Sequence, residues 1–284
     1  MDDTGTRIAA EPDSAGMAAS PAGHTAETRD ARSAAVSPAR SRAGVRLGAA
    51  AGLLRTAARV RLAEPEVRGL REIVARGDVC FDIGSAYGMY GFPLADLVGP
   101  TGAVLSFEPQ PRPRALLGAV RRAVAARQIR LSHAGIGHVA GRVPLVRPAR
   151  FGVRISGHAH LAHGLAVPHA DAARLPQVPV TTVDAVCAEH AIERVAFIKA
   201  DVEGFEPAVL RGAASVLERD RPALLLEIED RHLGRYGTSA AEVSDHLRGL
   251  GYAMSTWRGD RWLPAERVEL GTRNYLFRAA RGVS

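Results

Sequence analysis

Lysine is almost missing from this chain: of its 37 basic residues only Lys199 is a lysine, and the others are arginines. The arginines are scattered and form no polybasic run, so the net charge of +7 does not by itself predict a nucleic-acid or membrane partner. So much Ala and Arg with so little Lys indicates a coding bias towards G and C bases. The single lysine therefore stands out, and it falls inside one of two motifs described below.

Cysteines and long apolar runs are scarce as well. The two cysteines, Cys80 and Cys187, are too few for a disulfide framework or a cysteine-based zinc site. No stretch approaches the roughly 20 apolar residues that cross a bilayer. Asp2 and Asp3 stand where a signal peptide would carry basic residues. We therefore expect a cytoplasmic protein without stable membrane insertion.

Residues 1–45 differ in composition from the rest of the chain. They are rich in Ala, Ser, Gly, Pro and Arg and contain no aromatic residue, so they cannot bury enough apolar surface to offset the entropy of ordering. We predict a disordered tail over 1–45 and one domain over 46–284. In residues 46–62 apolar residues and arginines recur at helical spacing. A helix packed on its own domain is favoured there over a basic helix on a membrane surface.

The rest of the chain alternates between strand and helix patterns. A second helix is predicted over 64–75, so 46–76 holds two N-terminal helices and the core of the domain covers 77–280. Apolar runs bounded by Gly and Pro, with helical patterns between them, predict a mostly parallel sheet. Its predicted strands are 79–83, 103–107, 129–134, 195–201, 223–228, 252–257 and 274–278, the last two forming an antiparallel end.

The stretch V-C-F-D-I-G-S-A-Y-G (79–88) is the first motif that carries chemistry. An apolar strand reaches Asp82, and Gly84 and Gly88 follow. Glycines let the backbone turn sharply and approach a ligand closely, and the next helix points free N–H groups at that ligand. The second predicted strand leads into Glu108, whose carboxylate can accept hydrogen bonds from both hydroxyls of a ribose. The pattern predicts a nucleotide-type site.

The spacing of the glycines discriminates between nucleotide cofactors. A dinucleotide binder needs G-x-G-x-x-G because the pyrophosphate presses on the backbone, whereas only Gly84 and Gly88 are present here. The looser D-x-G-x-x-x-G turn suits S-adenosylmethionine, which has no phosphates. A nicotinamide or flavin cofactor is the alternative, and an ordinary strand–turn–helix of an α/β protein also stays open.

The second motif, K-A-D-V-E-G-F-E (199–206), contains the single lysine. In open α/β sheets ligands bind at the carboxyl ends of the strands, where strand order reverses, so Asp201 and Glu203 should face the cofactor. Alternation along the strand places Lys199 and Asp201 on the same face, where the lysine could keep the carboxylate ionised. A structural ion pair at the strand end is the alternative. One helix is predicted over 206–218.

Taken together, the motifs resemble the FkbM family of S-adenosylmethionine-dependent methyltransferases, which have the class I methyltransferase fold. The resemblance covers about residues 64–280, and its most specific part is the string K-x-D-x-E-G-x-E. One departure is Ala86, where the family usually has Asn. The motifs that carry the resemblance are DIGSAYG (82–88), FEP (107–109), TVD (182–184), FIKADVEGFE (197–206), VLRGA (209–213) and RPALLLE (221–227).

The resemblance implies a Rossmann-like α/β fold with a seven-stranded, mostly parallel sheet, helices on both faces and an antiparallel end strand. It also implies O-methylation of hydroxyls on secondary metabolites, sugars or related small molecules, and therefore a hydroxylated small-molecule partner. The candidate cofactor-binding residues are Asp82, Gly84, Ser85, Tyr87, Gly88, Glu108, Pro109, Gly135, Ile136 and Asp201.

Methyl transfer to a hydroxyl requires an aligned acceptor and the removal of a proton. Asp201 is the leading candidate for the base and Glu203 the second, and Lys199 is the third catalytic candidate. His232 and the histidines of residues 148–177 are outside options. A Mg²⁺ ion that bridges Asp201, Glu203 and substrate oxygens would also suit these hard oxygen ligands. Glu227, at the end of the next strand, touches substrate or caps a helix.

Three other functions stay open. A nucleic-acid methyltransferase would fit the pI of about 10.2, but base methylation on nitrogen often uses a [DNS]-P-P-[YF] turn, where this chain has Asp-Val-Glu-Gly, and we expect no nucleic-acid partner. An NAD-linked Rossmann oxidoreductase is disfavoured by the missing middle glycine. Ala86 leaves room for a binding module without catalysis. The acceptor and the oligomeric state are not indicated.

An irregular lid or loop is predicted over 148–177, and it contains His158, His160, His163 and His169. Near a cofactor such a loop covers the substrate, and a histidine-rich loop can bind metal. The alternative is a solvated loop whose histidines have no chemical role.

Overall fold

The computed structural model describes residues 42–146, 149–150, 153–154, 160–161 and 175–279, with the backbone alone at 149–150 and 153–154. The tail predicted over 1–45 lies outside these residues, apart from 42–45, which already belong to a helix because alanine and arginine are good helix formers. Most of the predicted lid, including His158, His163 and His169, also lies outside the described residues.

The N-terminal helices pack on the domain that follows. Helix α1 spans Arg42–Arg59 and buries Leu47, Ala51 and Ala58 on one face. The segment predicted as a second helix over 64–75 is a 3-10 helix, Pro65–Glu72, and not an α-helix. Its proline is tolerated only in the first turn, and Gly69 in its middle weakens an α-helix. No helix in the described part of the chain is long and apolar enough to cross a membrane.

The remaining elements follow the predicted alternation. In chain order they are β1 Val79–Ile83, α2 Gly91–Val98, β2 Ala103–Phe107, α3 Pro111–Ala123, β3 Ile129–Ser132, β4 Gly135–Ile136, β5 Gly141–Val146, β6 Ala149–Arg150, β7 Val153–Arg154, β8 His160–Leu161, β9 Gln177–Thr181, α4 Val183–Glu189, β10 Phe197–Ala200, α5 Glu206–Arg211, α6 Ala214–Asp220, β11 Ala223–Glu227, α7 Asp230–Leu233, a 3-10 turn Gly234–Tyr236, α8 Ala240–Gly249, β12 Tyr252–Arg258, β13 Arg261–Pro264 and β14 Asn274–Ala279.

The main sheet has the order β13-β12-β14-β11-β10-β1-β2-β3 among the described residues. Strands β11, β10, β1, β2 and β3 are parallel, and β14, β12 and β13 form an antiparallel end. The chain order reverses at β1, which lies between β2 and β10. This is the predicted Rossmann-like class I methyltransferase architecture, and the site is therefore expected where β1 and β10 end.

The structure corrects two predictions, the number of strands in the sheet and the helix over 206–218. The described sheet has eight strands instead of seven, because β13 returns along β12 through the tight turn Gly259-Asp260, in which both residues have positive φ. The helix predicted over 206–218 is two helices, α5 and α6. They separate at Gly212, which lies so close to Gly137 that a Cβ atom would fall 1.9 Å from its carbonyl oxygen.

Side chains on alternate positions of the strands fill two separate parts of the core. Phe81 and Ile83 of β1 belong to the part that also holds Phe107, whereas Cys80 packs with the residues of α1, α2 and the 3-10 helix. On that second side the aromatic rings of Trp257 and Trp262 meet edge to face, 5.1 Å apart, and the indole N–H of Trp262 donates to the carbonyl of Gly69 at 3.3 Å. The 3-10 helix is thus joined to the antiparallel end of the sheet.

Candidate active site

A cleft opens at the carboxyl ends of β1, β2 and β10. Strands β4, β5 and β8 of a smaller four-stranded sheet close its other side. His160 of the predicted lid contributes to the wall, next to Leu161, whose carbonyl accepts a hydrogen bond from Tyr236 at 2.7 Å. The predicted site residues that line the cleft are Gly84, Glu108, Pro109, Gly135, Ile136, Asp201 and Glu203.

Gly84 brings the first motif into contact with the second. Its φ of +80° lies in the left-handed region, and a Cβ atom here would fall 1.9 Å from the carbonyl oxygen of Asp201. The N–H groups of Gly84 and Ser85 both donate to the carbonyl of Phe107, at 3.0 and 3.1 Å. The loop after β1 is therefore held between β2 on one side and the end of β10 on the other.

Glu108 ties the same loop to β2 from inside the cleft. Its two carboxylate oxygens accept hydrogen bonds from the backbone N–H of Ala86 at 2.9 Å and of Gln110 at 2.7 Å. Burial raises the pKa of Glu108 above its ordinary value, and these N–H groups offset part of the rise. Each carboxylate oxygen can accept more than one hydrogen bond, so Glu108 keeps capacity for the hydroxyls of a ribose.

Ala86 adopts a conformation that costs an alanine free energy. Its φ is +42°, a left-handed region in which Asn and Gly are at ease and a Cβ-bearing residue such as alanine is strained. Replacing the family's Asn by Ala86 therefore adds backbone strain at this position. The N–H of Ala86 still donates its hydrogen bond to Glu108.

The described wall of the cleft does not include Asp82, Ser85, Tyr87, Gly88 or Lys199. Asp82 and Lys199 are neighbours across the β1–β10 pair, and both are buried. Ser85 is buried too, Tyr87 is half-exposed, and Gly88 packs against Leu117 and Phe92.

Alternation explains the position of Asp82. It shares a face of β1 with Cys80 and lies below the first residue of α2, where a Cβ on Gly91 would be 3.0 Å from its carboxylate. Burial raises the pKa of Asp82 to about 7, against the opposing effect of Lys199. Any contribution of Asp82 to the site would therefore be indirect, by supporting the loop after β1 from the side that faces α2.

Lys199 lies beside Asp201, as the alternation along β10 predicts. Its ammonium group is 3.7 Å from the Asp201 carboxylate and donates to the side-chain carbonyl of Asn274 at 3.2 Å. Burial lowers the pKa of Lys199, but Asp201 and the other nearby carboxylates outweigh burial, and the net pKa lies above the ordinary value. Burial likewise favours the neutral form of Asp201, but Lys199 and a hydrogen bond with Glu227 outweigh it and hold the pKa of Asp201 below its usual range.

Glu227, at the end of β11, shares a proton with Asp201. Burial and the negative charge of Asp201 raise the pKa of Glu227 to about 9, which favours a protonated Glu227 beside an ionised Asp201. Arg273 lies 3.4 Å from the other side of Glu227. Glu227 therefore acts on Asp201 and Arg273 in this structure and does not cap a helix.

The partner of Glu203 is His232, which the sequence analysis gave only as an outside option. The Glu203 carboxylate lies 2.8 Å from Nδ1 of His232, on helix α7, and both side chains are buried. Glu203 has a left-handed φ of +58°, and the next residue, Gly204, is so close to His232 that a Cβ would fall 2.4 Å from its carbonyl oxygen. His232 follows β11, the neighbour of β10, and that adjacency is the signal that could have pointed to it.

The loop between β10 and α5 is tied down by Glu206. One oxygen of its buried carboxylate accepts the N–H groups of Val202 at 3.0 Å and of Gly204 at 3.4 Å. Burial raises the pKa of Glu206 to about 7. Glu203, which lines the cleft, therefore lies on a loop that Glu206 holds in place.

The potential metal ligands differ from those expected. Among the described residues, ligand atoms of Glu203, Glu227 and His232 lie within 4.8 Å of one another, whereas the predicted pair was Asp201 and Glu203. In this arrangement His232 already bonds Glu203, and Arg273 and Asp201 engage Glu227. The three side chains could hold a small cation, and they also satisfy each other and their neighbours.

Comparison with known proteins gives one family match. The family described as Methyltransferase FkbM domain matches residues 82–254, which is over half of the chain and includes residues 82–88 of the first motif and all of the second. No curated protein matches the chain at a significant level.

Solved structures with a similar arrangement are distant relatives. A methyltransferase FkbM from Methylobacillus flagellatus is 19% identical over 70% of this chain, with a TM-score of 0.43, and this chain covers 43% of its length. An S-adenosylmethionine-dependent O-methyltransferase from Thermotoga maritima is 11% identical over 77% of this chain, which covers 66% of its length, at a TM-score of 0.41. Fibrillarin from Aeropyrum pernix with bound S-adenosylmethionine is 16% identical, at 76% and 74% coverage and a TM-score of 0.41. All three are too distant to indicate a substrate.

Proposed function

This chain belongs to the FkbM methyltransferase family, and on that premise we propose that it transfers a methyl group from S-adenosylmethionine to a hydroxyl group of a small molecule. One observation carries the proposal: the loop after β1, Glu108 and the loop after β10 meet in a single cleft. The first two supply contacts for an adenosine, and the third supplies ionisable groups for a transfer reaction. The proposed acceptor class is a secondary metabolite or a sugar-containing compound.

The residues of the cleft fit the proposed cofactor. Glu108 would accept hydrogen bonds from the ribose hydroxyls, and Gly84 leaves the backbone open to close approach. Gly135 and Ile136 contribute an apolar part of the wall that would suit an adenine. Asp201, ionised beside Lys199, would hold the cationic amino-acid end. When bound, S-adenosylmethionine supplies an electrophilic methyl group.

The geometry divides the acidic residues into two roles. Asp201 has a lowered pKa, which makes it a poor proton acceptor and a good partner for a positive charge. Glu203 faces the cleft and bonds a histidine that can share or stabilise an accepted proton. We therefore assign to Glu203 the removal of the hydroxyl proton and to His232 the positioning of Glu203. Sequence reasoning had ranked Asp201 first for this role.

The cofactor assignment is tested by calorimetric titration of S-adenosylmethionine and S-adenosylhomocysteine into the wild type and Glu108→Ala. Loss of hydrogen bonds to a charged group should weaken binding by about tenfold or more. Glu218→Ala, at an exposed position of α6, is the matched control and should bind like the wild type. A wild type that binds neither ligand but binds NAD would overturn the proposal in favour of the oxidoreductase alternative.

The division of roles is tested on a panel of hydroxylated acceptors by following S-adenosylhomocysteine release. Glu203→Gln should lower kcat by roughly a hundredfold or more, as expected for loss of a general base, and leave cofactor affinity within about twofold. Asp201→Asn should chiefly weaken cofactor binding. The reverse pattern would return the base to Asp201, and turnover of a nucleic acid instead of every small acceptor would refute the proposed substrate class.

A further inference from the structure

Helix α1 has a second apolar face that points away from the protein. Leu47, Ala51 and Ala58 are buried against the domain. With 3.6 residues per turn, Val45 and Leu53 fall on the opposite side of the helix, and they are 58% and 71% exposed. Two more exposed apolar side chains, Val60 and Leu62, follow directly after the end of the helix, with exposures of 62% and 83%.

These four exposed side chains are concentrated in one short stretch of the chain. Nine large hydrophobic side chains are exposed in the described part of the chain, and four of them lie between residues 45 and 62. Single exposed apolar residues are normal on a soluble protein, whereas a local concentration marks an interaction surface. We call this surface, made by Val45, Leu53, Val60 and Leu62, the outer face of α1.

Positive charge surrounds the outer face. Residues 42–62 contain five arginines and no Asp or Glu. Arg55 is held by Asp96 at 3.1 Å, while Arg42, Arg46, Arg59 and Arg61 are exposed. Arginine can lay its stem along an apolar surface and keep the guanidinium at a polar boundary. The combination therefore matches an apolar layer covered by anionic groups.

We propose that the outer face of α1 binds the surface of an anionic lipid bilayer, with the apolar side chains inserted at the headgroup level and the arginines on the lipid phosphates. Apolar area and attraction to anionic lipids together determine the strength of such binding. The helix stays docked on its domain through Leu47, Ala51 and Ala58, so binding requires no unfolding of α1.

Other occupants fit the outer face less well. A second copy of the chain would bring arginines against arginines, since the helix carries no carboxylate. Nucleic acid would engage the arginines through phosphates but leave four aliphatic side chains in water. Residues 1–41 contain neither leucine nor an aromatic residue and offer few large apolar side chains to cover the face.

The test is flotation of the full chain with phosphatidylcholine vesicles, with and without phosphatidylglycerol. We expect binding to the anionic vesicles alone, and weaker binding as salt is added. Leu53→Glu should lower the bound fraction at least fivefold, whereas Leu270→Glu, at an exposed leucine outside the outer face of α1, should not. Arg46→Glu with Arg59→Glu should lower the partition constant by about fivefold or more per arginine, and Arg127→Glu with Arg130→Glu is the charge-matched control.

Several outcomes would overturn the proposal. The wild type could fail to float, or it could float equally with both kinds of vesicle. Leu53→Glu could bind like Leu270→Glu, which would place the contact on another surface. Light scattering could reveal self-association that Leu53→Glu abolishes, which would identify a second copy as the occupant. All variants change exposed side chains, and their unfolding midpoints should match the wild type.

Discussion

The two loops that meet in the cleft are built alike and equipped differently. Each follows the carboxyl end of a parallel strand. Each contains a non-glycine residue with a left-handed φ, which is Ala86 in the loop after β1 and Glu203 in the loop after β10. Each is also held by a buried glutamate that accepts hydrogen bonds from backbone N–H groups. In the first loop that glutamate is Glu108, from the neighbouring strand. In the second it is Glu206, from the following helix.

The difference lies in what the loops present to the cleft. The first presents backbone and one carboxylate, and Gly84 supplies shape without charge. The second presents Asp201 and Glu203, supported by Lys199 and Glu227. The two loops thus share a backbone design. They differ in the number of buried ionisable groups around them, which is larger for the loop after β10. The second loop should therefore be the more sensitive to loss of charge and to pH.

The strongest test removes the cation of the second loop. Lys199→Met should lower the free energy of unfolding by about 3–5 kcal/mol, because it removes the fully buried ammonium that balances the partly exposed Asp201 and the other nearby carboxylates. Denaturant unfolding at neutral pH measures the loss. Arg127→Met, at an exposed arginine, is the control and should change stability by less than about 0.5 kcal/mol. If Lys199→Met loses no more stability than the control, the charge of Lys199 makes no net contribution to the free energy of unfolding.

A methyl group at Gly84 should break the contact between the loops. Gly84→Ala places a Cβ against the Asp201 carbonyl at a φ of +80°, and overpacking with left-handed strain should cost roughly 2–4 kcal/mol. Gly141→Ala, where a Cβ meets nothing within 4 Å, is the matched control. If both variants unfold at the same denaturant concentration, the loops are less tightly joined than the distances indicate.

The pH dependence of stability should separate the loops further. The pKa of Glu227 rises from 4.5 to about 9 on folding, so the folded protein keeps a proton that the unfolded chain releases. Its contribution to stability is complete below pH 4.5 and is lost as the pH rises towards 9. Glu227→Gln should flatten the decline of the thermal midpoint above pH 7, where the pKa values of Asp82 and Glu206, each about 7, contribute less.

Exposed Glu218 supplies the control for this pH series. Glu218→Gln should retain the wild-type slope. A slope unchanged in Glu227→Gln would show that Glu227 is ionised at neutral pH and that Asp201 carries the shared proton.

The smallest expected effect concerns the strain in the first loop. Ala86→Gly relieves a left-handed alanine, which is worth about 1–2 kcal/mol, and loses about 0.4–1 kcal/mol to the greater freedom of glycine in the unfolded chain. The net result should be a stabilisation of roughly 0.5–1 kcal/mol in denaturant unfolding. Ala214→Gly, at the start of helix α6, should have the opposite sign, and destabilisation by both would refute the assignment of strain.

Short-range patterns predict much of this molecule. Apolar runs next to glycines place β1, β10 and their loops, and Glu108 lines the cleft between them. Alternation correctly joins Lys199 to Asp201. Applied to β1, the same rule would have turned Asp82 away from the cleft, to the side of Cys80.

What pattern reasoning missed depends on contacts between distant segments. Gly212 ends α5 because the backbone of Gly137 lies against it. His232 reaches Glu203 only because β10 and β11 are neighbours in the sheet. The strain at Ala86 depends on a backbone angle that the residue type does not reveal.

The contact between Trp262 and Gly69 makes the protein its own fluorescent reporter. Both tryptophans of the chain lie at this contact, where the 3-10 helix joins β12 and β13 across 193 residues of sequence. Tryptophan emission should thus report the packing of the 3-10 helix onto β12 and β13. Ligand binding in the cleft should change the emission little. If binding is read by intrinsic fluorescence, a tryptophan has to be introduced nearer the two loops.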